Sequence, residues 1–185
     1  LRRSGDSADG SGDGAIGAVR SRDRRARCHF LNRMTAVTFF QFEQDFVDSL
    51  RCIPMQVRYK LDTCGVKLKL SHWSHFTEAE RQAIVNAPCE TDSEIEDYRN
   101  LVQQFVTQHM GTPAGTLAID PHPAWLNGNS VPAEVQEKAI EFGVAIDLPR
   151  WNALTPLQRF VLIKLSRPGH ENKNFQPALT EFHLV

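Results

Sequence analysis

Close cysteine pairs are missing from this chain. Its four cysteines stand at 28, 52, 64 and 89, without the spacing of about two to four intervening residues that a zinc knuckle needs. Nor do they reach the density of a secreted disulfide scaffold, so reduced thiols are the expectation. Also lacking are a glycine-rich phosphate loop, a His-Glu-x-x-His motif and a nucleophile elbow, which leaves phosphoryl transfer, zinc-dependent hydrolysis and serine hydrolase chemistry without a motif to support them. No run reaches the ~18 apolar residues of a membrane span, and no apolar signal segment is present. The body is therefore expected to be soluble and cytoplasmic.

What is present divides at about residue 33. "LRRSGDSADGSGDGAIGAVRSRDRRARCHFLNR" holds five Gly, four Ser and eight Arg with almost no apolar periodicity, the composition of a disordered basic tail. The first methionine is Met34, directly ahead of "TAVTFFQFEQDF" where apolar residues become frequent. Met34 is the expected natural start, with residues 1–33 a non-native extension. A tail that binds polyanions or membranes, or an Arg-rich targeting peptide, are the other readings, although Asp6, Asp9, Asp13 and Asp23 suit targeting poorly. Residues 34–185 carry 13 basic against 18 acidic residues. That acidic balance argues against nucleic acid as the ligand, because phosphate binding needs clustered Lys and Arg.

Overlaying the chain on itself at an offset of 78 aligns "PMQVRYKLDTCGVKLKLSHWSHFTEAER" (54–81) with "PAEVQEKAIEFGVAIDLPRWNALTPLQR" (132–159) without a gap, and nine of the 28 positions are identical. In each copy a proline opens a helix and an apolar stripe follows: Val57, Leu61 and Cys64 in one, Val135, Ala139 and Phe142 in the other. Gly65 and Gly143 then supply a left-handed stop. Cys64 thus takes the place of Phe142, as a core residue. "VKLKL" and "VAIDL" alternate at period two and predict short strands that pair with one another across a local twofold. Thr77 with Glu80, and Thr155 with Gln158, form capping boxes, and the helices behind them are expected to bury Ala83, Ile84 and Val85, and Phe160, Val161, Ile163 and Leu165. Trp73 and Trp151 serve as structural anchors or, in the alternative, as a ligand surface.

Around the repeat, Phe42, Phe46 and Leu50 line an opening helix. Thr91 and Glu94 start the longest helix, striped by Ile95, Tyr98, Val102, Phe105 and His109 and ended by Gly111. Residues 111–131 read as an ordered loop. The fold class is all-α or predominantly α, a single domain over 34–185 with related units at 54–89 and 132–167 and at most a two-stranded ribbon.

Chemistry has to rest on scattered residues. His72 and His75, with Cys52 or Cys64, are candidates for a mixed metal site, and Cys52 beside Arg51 and Arg58 for a nucleophile. The competing reading makes them surface histidines and a junction cysteine. His122 and His170 sit in turn-rich segments, and the sequence assigns neither of them a nucleophile or a carboxylate to work with. No catalytic, cofactor or metal residue is assigned. Charges of both signs crowd around Pro54: Glu43, Asp45, Asp48, Arg51, Arg58 and Lys60 are the candidates for a partner-docking rim, since the second copy is plainer there.

"FFQFEQDFVDSLRCIPMQVRYKLDTCGVKLKLSHW" (39–73) resembles the opening of the conserved nitrate reductase-associated proteins of cyanobacteria and related organisms. "YRNLVQQFV", "VPAEVQEKAIEFGV", "WNALTPLQRFVLIKL" and "NFQPALTEF" are similar to their continuation, so the resemblance spans roughly 39–183. It implies a noncatalytic accessory protein whose partner is the cytoplasmic molybdenum and iron–sulfur nitrate reductase or its maturation machinery. It transfers no catalytic set onto residues of this chain. A Cys/His-dependent metal or cofactor carrier or enzyme, and a generic helical interaction module, are the alternatives.

Overall fold

A computed structural model describes residues 39–185. The tail at 1–33, Met34 and Cys28 lie outside the described residues. The described residues are predominantly helical with one small antiparallel ribbon, as the capping and stripe patterns predict. A 3-10 turn at Gln41–Glu43 leads into α1 (Gln44–Val47), and the first unit follows as α2 (Met55–Cys64), β1 (Val66–Lys67), α3 (Leu70–His75) and α4 (Glu78–Asn86). After the long α5 (Asp92–Met110), β2 (Gly115–Thr116) and a 3-10 turn (Ala124–Leu126), the second unit comprises α6 (Ala133–Glu141), α7 (Leu148–Ala153) and α8 (Pro156–Ser166). A 3-10 turn at His170–Asn174 and α9 (Phe175–Glu181) complete the element order.

The correspondence at offset 78 extends to individual hydrogen bonds. Trp73 and Trp151 are fully buried on the two short helices, and each indole N–H donates to a carbonyl in the segment ahead of its unit, Leu50 at 2.7 Å and Asn127 at 2.9 Å. Arg81 Nε donates to the Trp73 carbonyl at 3.1 Å and Arg159 Nε to the Trp151 carbonyl at 2.9 Å. Each guanidinium thus closes the C-terminus of a short helix, whose final carbonyls otherwise lack donors. Thr77 and Thr155 cap α4 and α8 with reciprocal boxes. Pro54 and Pro132 occupy the N-cap positions of α2 and α6, one residue ahead of the first helical one.

Four local expectations change. β1 pairs with β2, Val66 opposite Thr116 and Lys67 opposite Gly115, and not with 144–148. In the second unit Asp147 accepts from Arg150 N–H at 2.9 Å and Pro149 stands in the first turn, so a helix begins where the alternation suggested a strand. Cys64 is buried, whereas its counterpart Phe142 is 37% exposed, so the equivalence of the two positions does not carry burial with it. Ala83 is exposed; Ile84 and Val85 are buried. Gly65 is required twice over: φ is +72° where it stops α2, and a Cβ there would meet Ile119 Cγ1 at 2.8 Å.

Among the described residues the apolar interior forms two clusters. One gathers Val57, Leu61, Cys64, Trp73, Ile84, Tyr98 and Val102, and the other gathers Val135, Ala139, Trp151, Phe160, Leu162 and Phe175. Helix α2 serves both: Val57 and Leu61 belong to the first, while Met55 belongs to the second and Tyr59 packs against it. Tyr59 meets Phe160 edge-on at 5.4 Å, and Asp62 pairs with Lys164 of α8 at 2.7 Å. A helix shared in this way fixes where its N-terminus, and the charged segment before it, stand.

Candidate functional site

The segment 48–53 is short of regular structure, yet it is tightly held. Leu50 is 3% exposed and has φ +47°, a left-handed conformation that costs a non-glycine residue of the order of 1 kcal/mol or more. Its carbonyl takes the Trp73 indole N–H, and Arg81 Nη1 reaches it at 3.4 Å. Arg58 Nε donates to the Ile53 carbonyl at 3.0 Å. The chain therefore turns at Leu50 and enters α2 along one path, which leaves a groove of about 480 Å³ between 42–46, 51–58, Leu68 and Leu70, and Lys173 with Asn174. Phe42, Phe46, Ile53, Met55, Leu68 and Leu70 give it an apolar lining. Asp45, Arg51, Arg58 and Lys173 give it charge, and Cys52 lies within it, partly exposed.

The six residues expected to form one charged rim separate. Asp45, Arg51 and Arg58 line the groove, and Asp48 is exposed at the end of α1, outside the lining. Glu43 reaches the groove wall but is 1% exposed, its carboxylate accepting Met55 N–H at 2.7 Å and Phe40 N–H at 3.1 Å. Burial pushes that carboxyl above its ordinary value, against the lowering effect of the two N–H groups and Arg58; Glu181 adds to the rise. Glu43 is therefore a cap for the α2 entrance and not a surface charge, which helical periodicity could not reveal. Lys60 also leaves the rim: Nζ donates to the Val85 and Ala87 carbonyls at 2.9 and 2.7 Å and lies 5.6 Å from the Tyr98 ring centroid.

Sequence reasoning missed the cluster to which Lys60 belongs. Tyr98 is 1% exposed and its hydroxyl has no hydrogen-bond partner among the described residues. Burial pushes the Cys64 thiol up to about 11 and the Cys89 thiol to about 12. Both thiols are therefore protonated at neutral pH and poor nucleophiles. The i, i+3 and i+4 spacing along α2 places Lys60 and Cys64 on one face, but Cys89 and Tyr98 arrive only by tertiary folding.

The histidines disperse. His75 is exposed, with Nδ1 2.6 Å from the Ser71 carbonyl, and burial lowers the His72 pKa, helped by Lys69 and His75. Exposed His122 donates its backbone N–H to Asp120 at 2.9 Å beside a pocket of about 270 Å³. The His170 side chain lies outside the described ones. His109 reaches back to Glu80, Nε2 to Oε2 at 2.9 Å, linking α5 to the α4 capping box. Among the described residues no group of three or more His, Cys, Asp or Glu is placed to hold a metal ion, and no helix is long and apolar enough to cross a membrane.

The geometry defines a predominantly helical protein with a groove at the α2 entrance that combines an apolar lining with cations. Residues 39–182 match the family described as conserved nitrate reductase-associated protein, and the chain belongs to that family. The match covers both units and the groove-lining segments together. Neither the curated proteins nor the solved structures contain a significant match to the chain.

Proposed function

We propose that this is a noncatalytic accessory protein of the cytoplasm that binds assimilatory nitrate reductase, or the machinery that matures it, and supports its activity or assembly through protein–protein contact. Family membership over 39–182 is the observation that carries the reading, since the family is named for its association with nitrate reductase. The groove at the α2 entrance supports a docking role. A strained residue held by the buried Trp73 indole and the part-buried Arg81 guanidinium is kept there at an energetic cost, as occurs where a surface has to be presented in one shape. Asp45, Arg51 and Arg58 would orient the partner, because charges at the edge of a contact govern orientation and encounter rate.

The test is titration of the full chain against purified nitrate reductase, with wild type and Arg51→Glu compared by calorimetry. Saturable binding by the wild type, weakened by the reversal and progressively screened by salt, is the expected result. An enzyme that binds neither protein would refute the reading. Cys52→Ser separates docking from thiol chemistry and should leave binding and support of the reductase intact. Lost support with binding and folding preserved would instead make Cys52 the site.

A further inference from the structure

The charge around the groove departs from that of the body carrying it. Residues 34–185 are acidic in balance, yet among the described residues Arg51, Arg58 and Lys173 line the groove against one exposed carboxylate, Asp45. The segment that supplies Leu68 and Leu70 also carries exposed Lys67 and Lys69. At the matching positions of the second unit, 78 residues on, Asn129 stands for Arg51, Gln136 for Arg58, Ala145 for Lys67 and Asp147 for Lys69. Arg51, Arg58, Lys67 and Lys69 are thus each replaced by a neutral or acidic residue in the other unit. Leu70, 56% exposed, leaves an apolar edge open to solvent beside them.

We propose that the groove receives a short linear segment of the partner protein, an apolar side chain flanked by carboxylates, with Arg51 and Lys173 taking the carboxylates and Phe46, Leu68 and Leu70 the apolar group. The inference rests on the docking reading above and specifies its chemistry. Charge complementarity selects an acidic occupant over a basic one, because a like-charged segment would be repelled at several points at once. The lining comes from four separate stretches of chain, with cations from different stretches. That layout suits an elongated occupant held by anchors along its length.

A random library of peptides of about 12 residues, displayed and selected on the full chain, tests it. Captured peptides should be enriched in Asp or Glu beside aliphatic or aromatic residues. Arg51→Glu with Lys173→Glu should reduce their binding about tenfold or more, while Arg51→Lys with Lys173→Arg retains most of it; thermal melts establish that both doubles are folded. Cys52 gives a local readout. A captured peptide should slow iodoacetamide alkylation at Cys52, with buried Cys64 and Cys89 as slow-reacting references in the same digest. Captured peptides without acidic residues, indifference to charge reversal, an unprotected Cys52, or no captured peptide at all would each overturn the proposal. Nitrate reductase is titrated against the same reversal double. If the enzyme binds through Arg51 and Lys173 but no peptide is captured, the linear-segment inference falls and the docking reading stands. If acidic-apolar peptides protect Cys52 but the enzyme does not bind, the groove chemistry is upheld and the nitrate reductase reading falls.

Discussion

Replacing Glu43 tests the α2 entrance most directly. Its two oxygens accept N–H groups from Met55 and Phe40, residues only 5% and 4% exposed, so water cannot easily replace either bond. In Glu43→Gln one amide oxygen can accept one donor, while the amide NH2 would face the other. A buried N–H left without an acceptor costs about 1–3 kcal/mol. Relief of the unfavourable buried charge works in the opposite direction, so a loss of about 1–2 kcal/mol is expected at pH 7. Glu43→Ala orphans both donors and should lose roughly 2–6 kcal/mol. With a urea slope of about 2 kcal/mol per molar, the Gln variant should melt about 0.5–1 M earlier than the wild type. The pH dependence has a defined sign. Because the folded carboxyl pKa is raised from 4.5, the folded protein binds this proton before the unfolded chain does. Wild type therefore gains stability on the Gln variant as pH falls through the raised pKa towards 4.5, and the gap is then constant. Urea melts of the three proteins between pH 7 and pH 4 provide the assay. Coincident melts at pH 7 would refute the account of Glu43 as a buried cap, as would a gap that narrows on acidification.

Thr77→Ala and Thr155→Ala each remove an N-cap acceptor, held 3.2 Å from Glu80 N and from Gln158 N respectively, and each should cost about 0.5–2 kcal/mol in a denaturant melt; neutrality at both sites would mean that the boxes do not stabilise these helices. Burial works against the Glu80 charge, but the Thr77 N–H, His109 and the Thr77 hydroxyl outweigh it and hold the carboxyl below its ordinary value. The stability it contributes is therefore present above 4.5 and lost as pH falls through the depressed folded pKa. Glu80→Gln should abolish that acid-side loss, read as a flatter dependence of the melting midpoint on pH below 4.5; an unchanged slope would count against the Glu80–His109 link as a stabilising contact.

The amino-acid order determined those elements whose causes lie within a few residues. The Thr77, Thr91 and Thr155 boxes, the stops at Gly65 and Gly111, and the stripe of α5 all follow from groups one helical turn apart, and α4, α5 and α8 begin at those caps. Resemblance along 39–183 likewise pointed to the family that the chain belongs to. Tertiary structure decided everything that needs a partner remote in sequence. Val66 finds Thr116 in a loop and leaves 144–148 without a strand partner, because pairing is set by which backbone comes within reach and alternation specifies only a face. Glu43 looks like an acidic surface residue until Met55 and Phe40 N–H groups converge on it, and Lys60 like a rim cation until the end of α4 presents two carbonyls. Lys173, more than a hundred residues from Arg51, enters the groove only through the fold. A local pattern states which groups a chain can satisfy by itself; a buried charge or a groove is made by groups that only folding brings together.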